Sequence, residues 1–318
     1  MGADYPYGMD ILDDILNTLD LNGALYFRTD FSPPWSVTVP VLEGAARFHL
    51  VVQGQCTLTL PGNRVRILNP GDLVLIPRGQ THILSDAPVD EAPPLETVLE
   101  QVQYDGNGVL TVGDGDPNAS TQLVCGHFTF RQKADHAMLR AMPDHLIVSA
   151  STRAQNSWLD DILRLISRHM LSDRAGLDAS VKRLSEVMFI ELMRLSIESN
   201  EHSQIQPALK GFRDPQIGQA LAIIHKDLQN PWTVGSLARE VGMSRSSFAD
   251  RFADLMGQGP MSYLTDWRLQ KALALLETNS VNVQQIASQT GYQSPAAFTR
   301  AFASKFGETP TQYRQSRS

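Results

Sequence analysis

Two stretches near the C-terminal end of the sequence repeat one another, and this limits the possible folds more than any other feature. In SRSSFADRFADLMGQGPMSY, residues 244–263, the positions Ser244, Phe248, Phe252, Gly257, Pro260 and Tyr263 return as Ser294, Phe298, Phe302, Gly307, Pro310 and Tyr313 in SPAAFTRAFASKFGETPTQY, residues 294–313. Each copy reads as helix, tight turn, helix. In the first, WTVGSLAREV is followed by GMS and RSSFADRFADLM; Gly242 permits a left-handed turn and Ser244 can cap the helix that follows. In the second, VQQIASQT is followed by GYQS and PAAFTRAFASKF, with Ser294 as cap and Pro295 at the first helical position, where its missing N–H costs nothing. One extra residue in the second turn makes the offset 49 at Gly242/Gly291 and 50 from there on. Between the copies, MSYLTDWRLQKALALLE is long enough for a single spacer helix.

Two helix-turn-helix motifs joined by a helix suit duplex DNA, because each second helix can enter a major groove with its N-terminal side chains at base edges. Phe248, Phe252, Phe298 and Phe302 fall on the stripe that such helices bury. The residues between them face outward: Arg245, Ser246, Ala249, Asp250 and Arg251 in the first copy, and Ala296, Ala297, Thr299 and Arg300 in the second. The formal net charge of −7 argues at first against a polyanionic partner, but residues 207–318 hold 12 Lys+Arg against 8 Asp+Glu. The acidic excess lies wholly in the rest of the chain, and the C-terminal third alone is basic.

The pattern IASQTGYQSPAAFTRAFASKFGETPTQYR, preceded by its partner copy and the WRLQKALALL spacer, resembles the DNA-binding domain of AraC/XylS-type transcription regulators over about 100 residues. The resemblance implies a sequence-specific regulator, expected to be an effector-responsive activator, whose two recognition helices read adjacent major-groove segments. Carried over by position, Ser246, Ala249 and Asp250, then Ala296, Thr299 and Arg300, are the base-contact candidates. Arg245 and Lys305 are placed at phosphate, with Arg251 a further DNA-binding candidate. Asp250 departs from the basic or polar residue usual at its position. Double-stranded DNA, RNA polymerase and a small-molecule effector are the implied partners, and a homodimer is expected.

Ahead of residue 150 the pattern is short apolar or alternating runs broken by Gly, Pro and Asn, such as RFHLVVQGQCTLTLPGNRVRILNPGDLVLIPRG and QLVCGHFTF, which is the signature of an all-β sandwich or barrel. GDLVLIPRGQTH, residues 71–82, fits G-x5-P-x-G-x2-H and resembles the second motif of the cupin β-barrel. That fold often holds a metal through this histidine together with an H-x-H and a Glu from an earlier strand. Here Arg47 stands where the Glu is expected and no H-x-H precedes it. His49 alternates with Arg47 and Val51, so it points to the barrel interior near His82, with Cys125 or His127 available from VCGHF. A neutral histidine and thiolate set can hold zinc; the same residues also serve as interior polar groups or effector contacts. Arg47, His49, His82, Cys125 and His127 are accordingly effector-binding candidates, and no metal or other cofactor is assigned.

Around these regions, MDILDDILNTLD spaces Ile and Leu for a leading helix over 9–20. SDAPVDEAPP reads as an exposed loop over 85–94, and residues 104–120 read as turns around one weak strand. NSWLDDILRLISRHML and SVKRLSEVMFIELMRLSIES read as two helices capped by Asn156 and Ser180, a connecting or dimerising hairpin. Residues 200–214 read as a linker. The expected architecture is α+β multidomain: a cupin-like sensor barrel over 8–150, a helical linker or dimerisation hairpin over 155–200, and an all-α double helix-turn-helix over 210–318.

A chain of 318 residues with 42% hydrophobic content can bury a core of roughly two domains. Two cysteines imply no disulfide framework, and MGADYPYGMDILDDIL has no signal-peptide pattern. With no membrane span expected, the cytoplasm is the expected location. The chain is not read as an enzyme; the competing readings are a cupin-type metalloenzyme with a helical appendage and a protein-docking module.

Overall fold

The computed structural model describes residues 11–170, 177–198, 207–278 and 281–317. The chain opens with α1 (Ile11–Leu19) and continues through β1 (Asn22–Phe31), β2 (Ser36–Val39), β3 (Ala45–Gln53), β4 (Cys56–Leu60), β5 (Arg64–Leu68), β6 (Leu73–Ile76) and β7 (His82–Ser85). There follow α2 (Leu95–Gln101), β8 (Val109–Val112), β9 (Thr121–Thr129), α3 (Ala137–Arg140), β10 (Leu146–Val148), α4 (Ala150–Gln155), α5 (Ser157–Met170) and α6 (Leu177–Glu198). The remainder is helical: α7 (Pro207–Arg213), α8 (Pro215–Lys226), α9 (Val234–Glu240), α10 (Arg245–Met256), α11 (Pro260–Glu277), α12 (Val283–Gln289), α13 (Pro295–Phe306) and α14 (Pro310–Gln315).

These elements form two compact units that do not follow chain order. Of the described residues, one unit holds those within 21–130 and 143–195; the other holds those before 21, those within 131–142 and those after 195. Residues 11–19 and 131–142, within the span read from sequence as the sensor, thus lie with the C-terminal helices.

In the first unit the strands make a six-stranded sheet, β10-β6-β3-β9-β1-β8, and a four-stranded sheet, β2-β7-β4-β5. Among the described residues no ladder joins the two, so the expected closed barrel is instead a sandwich of two open sheets. Val51, Leu58, Val74, Leu84, Leu123 and their neighbours fill the space between them. The opposite side of β3 and β9 is apolar as well, which is why β3 shows no polar-out alternation. There Phe48 stacks on Phe128 at 5.2 Å and Phe128 meets Phe189 of α6 at 4.9 Å. Gly126 makes this close approach possible, since a Cβ on it would meet the Phe48 ring and the Ala24 carbonyl.

In the second unit α1 buries Leu12, Ile15, Leu16 and Leu19, and it packs on α8 and α11. The spacer expected over 261–277 is α11. Residues 207–213, read from sequence as part of a linker, are the helix α7, because Leu209 is buried and the helix packs on α10; residues 200–206 of that stretch lie outside the described residues. Asn156 caps α5 as expected, accepting from Leu159 N at 3.0 Å. Ser180 is not a cap, since α6 already runs from Leu177. Among the described residues no helix is long and apolar enough to cross a membrane.

Candidate nucleic-acid interface

Each turn of the repeat is built by local chemistry. Thr233 and Ser236 close a capping box on α9, and Asn282 and Gln285 do the same on α12. The chain then reverses through left-handed Gly242 (φ 68°) and Gly291 (φ 77°). Ser244 Oγ accepts from Ser247 N at 3.2 Å, and Ser294 Oγ accepts from Ala297 N at 3.2 Å. Behind these caps Phe248, Phe252, Phe298 and Phe302 are fully buried. The opposite faces of α10 and α13 are therefore held outward by aromatic anchors one helical turn apart.

Arg245, Ser246, Asp250 and Arg251 are exposed in α10, as are Ala296, Arg300 and Lys305 in α13, and of these Ser246, Asp250, Ala296 and Arg300 stand opposite the Phe stripe; Ala249, Ala297 and Thr299 are half-buried. Among the described residues Arg245, Asp250 and Arg300 have no ion-pair partner. Arg251 is engaged, its Nε donating to Asp214 Oδ2 at 3.0 Å. Asp214 is also the N-cap of α8, accepting from Gln216 N and Ile217 N. Lys305 pairs with Asp266 at 2.9 Å and Asp135 at 3.4 Å. Sequence reasoning missed all three acidic partners, although the Asp-Pro step at 214–215 is itself a helix-start signal.

A buried polar chain lies within the same unit. His136 Nδ1 accepts from Met138 N at 3.2 Å, so its Nε2–H donates to Tyr263 Oη at 3.1 Å. The Tyr263 hydroxyl donates to His225 Nε2 at 2.8 Å, and His225 Nδ1–H donates to Asp14 Oδ2 at 2.8 Å. Lys271 also pairs with Asp14. Burial holds both histidines below their ordinary range, with the Asp14 carboxylate opposing this at His225. Burial pushes the Asp14 carboxyl up, but the hydrogen bonds from His225 and Lys271 outweigh it and leave it lowered.

Between the two sheets, the residues named from sequence come together in register. His49 pairs with Cys125 across β3 and β9, and Arg47 pairs with His127. The Cys125 thiol stands 3.1 Å from His49 Nδ1, His49 Nε2 stands 2.9 Å from His82 Nε2, and His82 Nδ1 stands 2.9 Å from the Gln80 carbonyl. One proton arrangement satisfies all three contacts: His82 Nδ1–H donates to Gln80, His49 Nε2–H to His82, and the thiol to His49. Burial favours those neutral forms, holding His49 far below its ordinary range, His82 down at about 4, and the Cys125 thiol up. His49 spends its two nitrogens on different partners, so these three side chains do not converge on one point. Among the described residues no three His, Cys, Asp or Glu side chains form a metal-sized group. Beside them, Arg47, His49 and Cys125 share the lining of a 30 Å³ cavity with apolar side chains from both sheets, room for about two waters.

Residues 10–198 match the family described as Cupin, and residues 237–316 match the helix-turn-helix domain. Over 312 residues the chain is 31% identical to the HTH-type transcriptional regulator AlkR of Acinetobacter baylyi, covering 96% of this chain and 99% of that protein. It is 30% identical over 311 residues to an AraC-like transcription regulator of Streptomyces antibioticus, covering 96% and 99%. It is also 30% identical over 274 residues to the RCS-specific HTH-type transcriptional activator RclR of Escherichia coli, covering 85% and 84%. With a cupin domain ahead of a paired helix-turn-helix and relatives matched over nearly their full length, the chain belongs to the AraC-like HTH-type transcriptional regulators and is a DNA-binding transcription regulator.

Proposed function

We propose that this regulator is a cytoplasmic, effector-responsive activator that binds as a homodimer and reads two adjacent major-groove segments, one with α10 and one with α13. The supporting observation is the matched pair of capped helices whose exposed faces carry Arg245, Ser246 and Asp250 in one copy and Ala296 and Arg300 in the other. Ser246, Ala249 and Asp250, then Ala296, Thr299 and Arg300, are assigned to bases, and Arg245 to phosphate. Arg251 and Lys305 reach phosphate by exchanging partners, and Asp214 keeps its two cap hydrogen bonds when Arg251 leaves it.

Arg300 suits bidentate pairing with guanine, whereas the Asp250 carboxylate only accepts, as from the cytosine amine. Arg300→Ala is expected to weaken binding by about 1–3 kcal/mol, and Asp250→Ala to relax preference at one base pair or raise non-specific affinity. Binding across a randomised duplex library at two salt concentrations measures both, since phosphate contacts set the salt slope. Two profiles matching the parent would remove these assignments.

Activation, and with it contact to RNA polymerase, is supported by the relative named as an activator. The cupin interior is assigned to sensing rather than catalysis, because His49, His82 and Cys125 satisfy one another. The cavity is far below the roughly 300–1,000 Å³ of small-molecule pockets, so the effector enters by parting the sheets. Dimerisation is assigned to α5 and α6, where Trp158 is 71% exposed and Leu165 and Val187 are each 41% exposed. Sedimentation of the full chain is expected to give a dimer at micromolar concentration, and Trp158→Asp a monomer. A wild-type monomer counts against this part of the reading.

A further inference from the structure

The two copies of the helix-turn-helix differ in what lies against their turns. A Cβ placed on Gly242 would have nothing within 4 Å, whereas one on Gly291 would run into the Leu228 carbonyl and the Arg268 guanidinium. Arg268 projects from the spacer helix α11. Its Nε donates to Leu228 O at 2.9 Å, and its Nη2 donates to Leu228 O at 2.7 Å and to Asn230 O at 3.0 Å. Those two carbonyls belong to the segment between α8 and α9, which is itself tied down by Asn230 N to Asp227 Oδ1 and by Trp232 Nε1 to the Asp227 carbonyl. On the other side Tyr292, next to Gly291, packs on Phe298 of α13 at 5.4 Å and belongs to the apolar core of the second motif. The extra residue of the second turn, GYQS against GMS, lengthens the turn at this point.

We infer that Arg268 is a positioning residue that sets the angle and separation between the two recognition helices, and so the spacing of the two DNA segments the protein accepts. Arg268 clamps the lead-in to α9, which packs on α10, and its flat guanidinium is the surface on which the turn before α13 rests. A planar fork with five donors can hold two carbonyls and still present a face to a neighbouring backbone; an ammonium or an amide cannot do all three. Arg268 is half-buried and is assigned no DNA contact. This inference rests on the reading that both α10 and α13 contact DNA.

The test uses full-length protein and the tightest duplex that the wild type selects from a randomised library. Single-base-pair substitutions along that duplex first locate the contacted segments. The same duplex is then lengthened or shortened by one base pair between them, which shifts one segment by about 3.4 Å and a tenth of a turn. Wild type is expected to lose at least about tenfold in affinity, the scale of one or two lost base contacts. In Arg268→Gln the ratio of parental to altered spacing is expected to fall to about threefold or less, with Arg268→Lys intermediate. Gly291→Ala, which disturbs the same joint without touching charge, is expected to move the ratio in the same direction. Where Arg268→Gln is not folded by circular dichroism, the Arg268→Lys ratio decides. An unchanged ratio overturns the inference whatever happens to stability or absolute affinity, because a merely structural residue weakens every spacing alike. Two segments with an unchanged ratio overturn this inference alone; a single segment in the wild type overturns the two-helix reading as well.

Discussion

Asp14→Ala is expected to destabilise the helical unit by about 2–4 kcal/mol, the range for removing one partner of a buried charged network. Asp14 lies on α1 with only 12% of its side chain exposed, and it accepts from His225 Nδ1, which has no exposure at all, and from Lys271. Truncation leaves a buried imidazole N–H with no acceptor among the described residues and a partly exposed ammonium beside the Trp267 ring at 5.3 Å. Asp14→Asn keeps an acceptor for His225 and loses only the charge, so roughly half the effect is expected. Amide hydrogen exchange in α8 and α11 reads the opening free energy of this unit directly. Protection within about 0.5 kcal/mol of the parent in Asp14→Ala would show that the network contributes nothing. A fragment of residues 207–318 lacks both Asp14 and His136, and it is expected to fold with a correspondingly lower unfolding midpoint.

Acid is expected to unfold both units well above the ordinary carboxylate range. His49 and His82 in the sheet unit, and His136 and His225 in the helical unit, are buried and neutral, with burial the first cause of each lowered value. A histidine whose folded value is depressed binds its proton more readily in the unfolded chain. Its contribution is therefore complete above the unfolded value near 6.5 and is lost as pH falls toward the folded value, which for His82 is about 4. Two such groups give the sheet unit a slope of up to about 3 kcal/mol per pH unit below about 6.5, and the helical unit a slope of the same sign. The lowered Asp14 carboxyl works in the same direction at lower pH, its stabilisation present above about 3.8 and lost as pH falls through its folded value. In the sheet unit charge repulsion cannot imitate this trend, because the acidic excess of the chain lies outside its basic C-terminal third and protonation brings the sheet unit closer to neutrality. Urea midpoints at pH 7.5, 6.5, 5.5 and 4.5 measure the slope, and a flat profile would refute it. His82→Gln is expected to lower stability at neutral pH while flattening the slope of the sheet unit.

The repeat was legible because everything that builds it is local. Cap, left-handed glycine and paired phenylalanines fall within about four helical turns of one another, and each obeys a rule that holds without tertiary context. Period-two alternation likewise put His49 on the inner face and brought VCGHF into reach of it. What was hidden depends on distance or on weak local signals. The helix α2 starts at Pro94 with no capping side chain and buries only Val98. The helix α7 lies in a polar stretch and is held by what Leu209 packs against. Nothing in DDILNTLD distinguishes Asp14 from its acidic neighbours, and only the fold brings His225 to it. Closure of the sheets turns on pairing between strand edges, which alternation does not encode.

The bond between Asp14 and His225 spans 211 residues of chain. A ribosome adding about 5–20 residues per second needs about 10–40 s to travel that far. For that interval Leu12, Ile15, Leu16 and Leu19 have been made and α8 has not. A greasy helix thus waits through the synthesis of the entire sheet unit, free to adhere to any other nascent chain. Truncation by a premature stop before residue 215 makes the wait permanent, so such messages are expected to yield insoluble product rather than a detached sheet unit.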